Sequence, residues 1–271
     1  MLRKLFVHEA RMMARPLSLL VLINLSAAAL LIACEHAVAA LDDADSILAL
    51  LLTLGLSFLY ILPPLSMAVL PVFCYFRFYK NLFTDEGYLT FTLPVKRHEI
   101  LNAKFFCTLL FGVIGAVIAG LTLWLCLLLT PESNGLYFGI SLLKDLFEVF
   151  SALDLISFAI FVFAAFYLNT AFVYLCITLG ATILKKGKVV VAILIYYLGN
   201  SVLGGIAEVL ALMLTALLSP HFLVLSENLP EDGWHAVLSL ALLIGAALLA
   251  TLGSLLHLLT LHFIERKLNL P

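Results

Sequence analysis

Long hydrophobic stretches alternate with short polar segments along the whole chain. Each stretch is dominated by apolar residues, and the six of them cover residues 17–38, 47–76, 104–130, 152–184, 189–218 and 235–263. Since a helix needs about 20 mostly apolar residues to cross the hydrocarbon core of a bilayer, each stretch is long enough to span it. The pattern predicts an all-α integral membrane protein with six transmembrane helices in a single domain, residues 1–271. Prolines in the second stretch predict a kink there: Pro63, Pro64 and Pro71.

The composition also indicates a membrane protein. Hydrophobic residues make up 64% of the chain and charged residues 12%, whereas a soluble domain has about 45–50% and about 25%. The five cysteines all lie in apolar stretches and lack the paired spacing of a metal site or a disulfide framework. We therefore interpret them as small packing residues; they are Cys34, Cys74, Cys107, Cys126 and Cys176.

Lys and Arg residues are distributed unevenly between the two sides of the predicted membrane. Fourteen of the 15 precede the first span, lie between spans two and three or between spans four and five, or follow the last span. Lys144 is the exception, and the segments on its side carry acidic residues instead. By the positive-inside rule, the chain is a multi-pass protein of the cytoplasmic membrane with both termini in the cytoplasm.

The first fifteen residues, MLRKLFVHEARMMAR, have an apolar and a basic side when drawn as a helix. Such a helix is suited to lying in the membrane interface, and Pro16 is expected to turn the chain into the first span. Glu9 falls among the apolar positions, so we expect it to pair with a basic residue on a neighbouring loop. Two interpretations stay open, a simple topogenic anchor and an elbow helix that also braces the cytoplasmic loop.

Residues 77–103, between spans two and three, are too few for a domain and too patterned for a linker. Gly87 follows the acidic pair Asp85 and Glu86, and Pro94 marks the entry into a new helix. Four apolar side chains lie between them: Tyr88, Leu89, Phe91 and Leu93. An apolar patch ringed by charges at the membrane boundary indicates a protein-docking surface. The alternative is that these side chains lie flat on lipid headgroups.

The run GYLTFTLPVKRHEILNAK resembles the signature of ABC type 2 transporter permeases. In that family a glycine and a short leucine- or threonine-bearing stretch lead to a proline, and an Arg, an Ile or Leu and a Lys follow. The corresponding residues here are Gly87, Leu93, Pro94, Arg97, Ile100, Leu101 and Lys104. The elbow helix, the six spans and the long first cytoplasmic loop are similar as well. The outer loop at 219–234 is shorter than the re-entrant helices that the family often carries there.

The resemblance implies the membrane-spanning subunit of a bacterial ABC exporter. The segment 77–103 would then contain the coupling helix, which docks onto a separate ATP-binding subunit present in two copies. The implied docking residues are Asp85, Glu86, Gly87, Tyr88, Leu89, Leu93, Pro94 and Arg97. A second copy of this chain or a similar permease would complete the transporter. ATP and Mg would be bound by the partner subunit, and no cofactor by this chain.

The residues themselves argue against nucleotide hydrolysis by this chain. A phosphate-binding loop needs the pattern G-x-x-x-x-G-K-[ST]. The nearest run, GATILKKGKV from Gly180 to Val189, has the wrong spacing and ends in Val instead of Ser or Thr. We therefore predict no catalytic residues, and the ATPase is expected to be another polypeptide.

A few polar residues inside the predicted spans are candidates for other roles. Glu208 in span five is costly in a membrane, and with Asn200 it is the candidate for the translocation pathway. The alternative interpretation is that Glu208 has a structural role and forms a hydrogen bond to Asn200 or Ser201. His257 and His262 are spaced poorly for a shared metal and are interpreted as interfacial. The amphipathic residues 141–151 predict an interfacial helix on the outer side, and Asn24, Asn169 and Thr170 predict interhelical hydrogen bonds.

The sequence therefore predicts an exporter subunit that moves a peptide, lipid-linked or hydrophobic substrate, without choosing among the three. It gives no indication of nucleic-acid binding. Two alternatives stay open. One is an accessory or sensory membrane protein that binds a partner without transporting, and the other is an intramembrane enzyme without a known motif.

Overall fold

The computed structural model describes residues 2–40, 47–84, 87, 95–129, 141, 144–183, 187–228 and 231–266, and over these ranges the regular structure is helical, without a strand. Six helices in this part of the chain are long and apolar enough to cross a membrane, as the hydrophobic pattern predicts. They are α1 (Leu2–Ala39), α2 (Ile47–Phe83), α3 (Arg97–Leu128), α4 (Ala152–Ile183), α5 (Lys188–Asn228) and α6 (Glu231–Arg266). Large apolar side chains are exposed along all six. Because soluble monomers rarely expose such surface, the fold is that of a multi-pass membrane protein.

α1 continues past Pro16, so a separate N-terminal helix is not seen and residues 2–15 form the first turns of α1. Proline removes one helical hydrogen bond, because its nitrogen carries no hydrogen. That loss does not end α1, since the residues on both sides of the proline are held in the packed interior. Met13 is 1% exposed and Leu20 is 3% exposed.

α2 also continues through its three prolines. Pro71 cannot donate the hydrogen bond that the carbonyl group of Met67 would receive in a regular helix. Gly115 of α3 lies against that carbonyl: a Cβ added to Gly115 would be 3.4 Å from the Met67 oxygen. The glycine thereby permits a close backbone approach at the carbonyl that Pro71 frees.

The chain divides into two compact units, of which the first contains residues 1–80 and 94–149. In this unit α1 packs against α3, and α2 shares two buried clusters with them. The larger cluster comprises Met13, Leu20, Leu70, Cys74, Cys107 and Phe111; the smaller is Ala28, Leu31 and Cys126, with Leu56, Leu59 and Tyr60 packed on it. The Ser66 hydroxyl donates to Oδ1 of Asn24 at 3.3 Å. The interhelical role predicted for Asn24 is thus confirmed.

The second unit contains residues 81–93 and 150–271, and α4 is its central helix, packed on α6 and on α5. Aromatic rings of α4 lie on glycines of both neighbours: Phe172 on Gly199, Phe161 on Gly245 and Tyr167 on Gly253. The Tyr196 hydroxyl of α5 donates to Oδ1 of Asn169 at 3.0 Å, which confirms the interhelical role predicted for Asn169. Small residues thus allow the close helix contacts expected in a membrane.

Two predicted non-spanning segments contain helix. Residues 144–149 are helical within the segment 141–151, with an exposed pair between Lys144 and Glu148 at 3.5 Å; their position at the outer membrane surface stays a prediction. The outer segment 219–234 is helical at both ends, because α5 extends to Asn228 and α6 begins at Glu231.

Candidate functional site

Two of the eight predicted docking residues, Gly87 and Arg97, are among those that the structure describes. The other six lie outside the described residues: Asp85, Glu86, Tyr88, Leu89, Leu93 and Pro94. Gly87 follows the end of α2, and Arg97 is the first residue of α3. We call residues 85–97, over which the eight predicted docking residues are distributed, the docking segment. The described residues give the geometry of Gly87 and of Arg97 near its two ends.

Gly87 lies four residues beyond the end of α2 and is itself helical. Its N–H donates to the carbonyl oxygen of Thr84 at 2.8 Å, and the residue is buried. A Cβ added to Gly87 would lie 2.5 Å from the carbonyl oxygen of Leu82 and 2.9 Å from its carbonyl carbon. Backbone atoms cannot move aside as the end of a flexible side chain can, so a larger residue would require the local backbone to shift. The close approach to Leu82 accounts for a glycine at this position, and the docking role of Gly87 stays a prediction.

A lysine binds the carboxyl end of α2 within the second unit. Lys188 is the first residue of α5, and its Nζ donates to the carbonyl oxygen of Phe83 at 3.0 Å. The last carbonyl groups of a helix have no helical donor, and a positive charge also opposes the negative end of the helix dipole. Gly187 precedes the lysine with a φ of 78°, a conformation that favours glycine. The end of α2 is thereby connected to the start of α5.

The start of α3 presents positive charge. Lys96 and Arg97 are both exposed, and Lys96 forms the N-cap with an extended backbone and no side-chain cap. Glu99 lies in the first turn, where the helix dipole favours an acid. An exposed guanidinium at this position is suited to bidentate contact with a carboxylate of another protein.

Glu9 of α1 pairs with basic residues of both other helices in the first unit. Its Oε1 lies 2.5 Å from Nζ of Lys104 on α3, and its Oε2 lies 3.3 Å from Nη2 of Arg77 on α2. The side chain of Glu9 is 15% exposed, that of Lys104 is 6% exposed and that of Arg77 is 16% exposed. The network is therefore largely withdrawn from solvent. A basic partner for Glu9 was expected on a loop. That location is wrong, because α2 extends to Phe83 and α3 begins at Arg97, so both partners are helical.

We call this network the charged layer (Glu9, Arg77 and Lys104). Two of its members belong to α2 and α3, the helices that precede and follow the predicted docking segment along the chain. Breaking a buried ion pair by removal of one partner costs about 3–5 kcal/mol. The layer therefore connects the first turns of α1 to both helices that flank the segment. Sequence reasoning found Glu9 and Lys104 but did not connect them.

The predicted pathway residues lie on the surface of α5. Asn200 and Glu208 are both exposed and are eight residues apart. The described stretch of α5 that qualifies as a span is Lys188–Gly205, so Glu208 lies three residues beyond it. The place of both residues on a translocation pathway stays a prediction.

Sequence reasoning passed over a second acid within a predicted span. The Tyr60 hydroxyl of α2 donates to Oε1 of Glu35 on α1, and Oε2 is buried without a hydrogen-bond partner among the described residues. Glu35 lies inside the stretch 17–38, so its position in the sequence was the available signal. An acidic residue within a predicted span is a candidate functional group.

The second unit contains a buried carboxylate that the sequence analysis also missed. Asp154 is 2% exposed, and its Oδ2 contacts Nδ1 of His235 on α6 at 2.5 Å. Ser151 completes a capping box, because its N–H donates to Oδ2 at 3.1 Å and its Oγ accepts from the Asp154 N–H at 3.2 Å. The spacing S-x-x-D before an apolar run was the signal for the cap. The histidine has no such local signal.

His257 is half-buried on α6, whereas His262 is exposed and its ring lies edge-on to Phe263. Within the ranges that the structure describes, no three side chains of the types His, Cys, Asp and Glu group as metal ligands would. Four cysteines are buried in the helix packing and Cys34 is half-buried, and none forms a disulfide.

Comparisons with known proteins add no assignment. No family model matches the chain, and neither the curated proteins nor the solved structures contain a match. The likeness to ABC type 2 permeases therefore rests on the motif from Gly87 to Lys104 and on the order of the spans.

Proposed function

We propose that the chain is the membrane-spanning subunit of an ABC exporter, which moves a peptide, lipid-linked or hydrophobic substrate across the cytoplasmic membrane. In this proposal two copies of a separate subunit bind ATP and Mg. A second copy of this chain or a similar permease completes the translocation path. Both termini and the docking segment face the cytoplasm.

The observation that carries the proposal is the position of the charged layer. Arg77 lies one and a half turns before α2 ends, and Lys104 lies two turns after α3 begins. Glu9 contacts both, so it joins the helix that precedes the docking segment along the chain to the helix that follows it. If the docking surface were carried by a loosely held loop, a movement of the partner would displace the loop alone. A segment anchored by buried charge on three helices would transmit that motion to the bundle.

The exposed Arg97 gives the partner defined chemistry to recognise. Its guanidinium can form a charged, hydrogen-bonding contact. We expect the partner to present an acidic residue at the site that meets Arg97.

The test is copurification of an ATP-binding polypeptide. The tagged chain is expressed together with the products of its neighbouring genes, solubilised in mild detergent and photolabelled with an azido analogue of ATP. We expect a labelled second polypeptide with the wild-type chain and with Lys144→Glu, an exposed charge change on the predicted opposite side. Arg97→Glu should lose it, because like charges would meet at the interface.

Each result decides between specific functions. Absence of a labelled polypeptide with the wild-type chain, or its retention by Arg97→Glu, would contradict the proposal. If the partner copurifies, the complex is reconstituted into vesicles and ATP hydrolysis is measured with and without vanadate. A complex that binds ATP without hydrolysing it would support the accessory or sensory alternative.

A further inference from the structure

Three sulfur-bearing side chains lie in one buried cluster of the first unit, one from each of α1, α2 and α3. Sγ of Cys74 lies 3.8 Å from Sδ of Met13, and Cys107 is the third member. Cys74 is 7% exposed, Met13 is 1% exposed and Cys107 is 3% exposed, so all three are buried. We call them the sulfur layer.

The sulfur layer stands one helical turn from the charged layer on every helix. The pairs are Glu9 with Met13 on α1, Arg77 with Cys74 on α2, and Lys104 with Cys107 on α3. Residues three or four apart share a helix face, and one turn rises about 5.4 Å. The two layers are therefore stacked.

We propose that Cys74, Cys107 and Met13 form a binding site for a soft monovalent metal ion, Cu(I) or its analogue Ag(I). Thiolate and thioether sulfur are the ligands that Cu(I) prefers, whereas magnesium and calcium require oxygen. Structural zinc sites take four ligands from Cys, His and acids, and a thioether is not among them. This inference stands independently of the proposed transport function.

The spacing of the sulfur atoms fits such an ion. Metal–sulfur bonds of about 2.3 Å place two ligand sulfurs about 3.8–4.0 Å apart in tetrahedral or trigonal geometry. The Cys74–Met13 separation of 3.8 Å lies in that range. Little movement of α1 relative to α2 is therefore needed to bring both atoms onto one ion.

The charge balance is also reasonable for a buried site. Binding converts two thiols to thiolates and releases two protons, so the complex of Cu(I) with two thiolates and a thioether carries one negative charge. The neighbouring Arg77 and Lys104 are positive and Glu9 is negative, which gives the charged layer a sum of +1. An anionic complex beside that layer brings the combined sum to zero, which reduces the electrostatic cost of burial.

The experiment uses the full-length chain, purified in detergent under argon with reductant from cells grown with added copper. Copper per chain is measured by atomic emission, and affinity by competition with the Cu(I) chelator bicinchoninate. X-ray absorption gives the number of sulfur ligands. We expect one copper per chain with three sulfur neighbours at about 2.3 Å.

Three variants locate the site. Cys74→Ser and Cys107→Ser should each weaken copper binding by at least about tenfold, since even changes next to a ligand cost about 10–100-fold. Cys176→Ser changes a buried cysteine of the second unit and should bind copper as the wild type does. Met13→Leu keeps the side-chain volume, so it should fold and show two sulfur neighbours instead of three.

The proposal is overturned if the wild-type chain retains no copper, or if Cys74→Ser retains as much as the wild type. It is also overturned if Met13→Leu leaves the sulfur count unchanged. Circular dichroism and gel filtration establish that each variant is folded. Should a serine variant fail to fold, the sulfur count of Met13→Leu still decides the matter.

Discussion

Replacement of Glu9 by glutamine tests whether the charged layer stabilises the first unit. The substitution keeps the shape of the side chain but removes the negative charge between Lys104 and Arg77. Both cations are largely buried, at 6% and 16% side-chain exposure, so their mutual repulsion is poorly screened. Loss of one member of a buried pair costs about 3–5 kcal/mol. The remaining exposure of Glu9 and Arg77 to solvent places the expected loss near the lower end, about 3 kcal/mol.

The assay is reversible unfolding in mixed detergent micelles, followed by circular dichroism, with thermal melting as a second measure. For a chain of this size a loss of about 3 kcal/mol corresponds to a drop of roughly 6–12 °C in Tm. The matched control is Glu148→Gln, which removes an acid from the pair with Lys144. Those side chains are 63% and 74% exposed. The pair is worth only about 0–1 kcal/mol, and its loss should leave Tm nearly unchanged.

A compensating change separates electrostatics from packing. Lys104→Met removes a buried cation while keeping a long unbranched side chain. Combined with Glu9→Gln, it leaves Arg77 as the single charge of the layer, so the double variant should recover part of the lost stability. The reasoning is refuted if Glu9→Gln and Glu148→Gln lower the free energy of unfolding equally, or if Lys104→Met makes the Glu9→Gln variant less stable still.

Two further substitutions test the close backbone approach at Gly87 and the buried carboxylate of Asp154. Gly87→Ala should destabilise the chain by about 1–3 kcal/mol, because the added methyl group would overlap backbone atoms. Gly204→Ala should be neutral or stabilising, since a Cβ there meets nothing within 4 Å and alanine favours the helix; equal losses in the unfolding assay would contradict this. His235→Ala removes a donor to the buried Asp154 and should cost about 1–3 kcal/mol. His262 is exposed, so His262→Ala should change the same measurement little. An equal loss in that variant would show that the His235–Asp154 hydrogen bond contributes nothing.

The number and type of the main elements could be predicted from the sequence because they follow from local composition. Six apolar stretches gave six helices, since each is long enough to satisfy its own backbone hydrogen bonds within a membrane. The ends of the helices were less predictable. Pro16 was expected to separate two helices and does not, because buried contacts on both sides of it outweigh one lost hydrogen bond.

The candidate site was predictable where the signal is local. Gly87 could be singled out as a glycine directly after an acidic pair, and in the structure an added Cβ there would overlap the backbone of Leu82. Contacts between distant residues carry no such signal. Lys104 and Glu9 are 95 positions apart, and Asp154 and His235 are 81 apart. Which residue meets which depends on how the helices are arranged, and one sequence does not contain that information.

The charged layer and the sulfur layer could have been predicted together from a spacing that α1, α2 and α3 share. On each of three helices a charged residue lies three or four positions from a sulfur-bearing one, so both must point to the same side. α1 and α3 carry the charge first and the sulfur second, whereas α2 carries them in the opposite order. That reversal is what antiparallel packing of α2 requires if the layers are to align. A displacement that separates the charges of one layer therefore also separates the sulfurs of the other, since each helix moves as one piece.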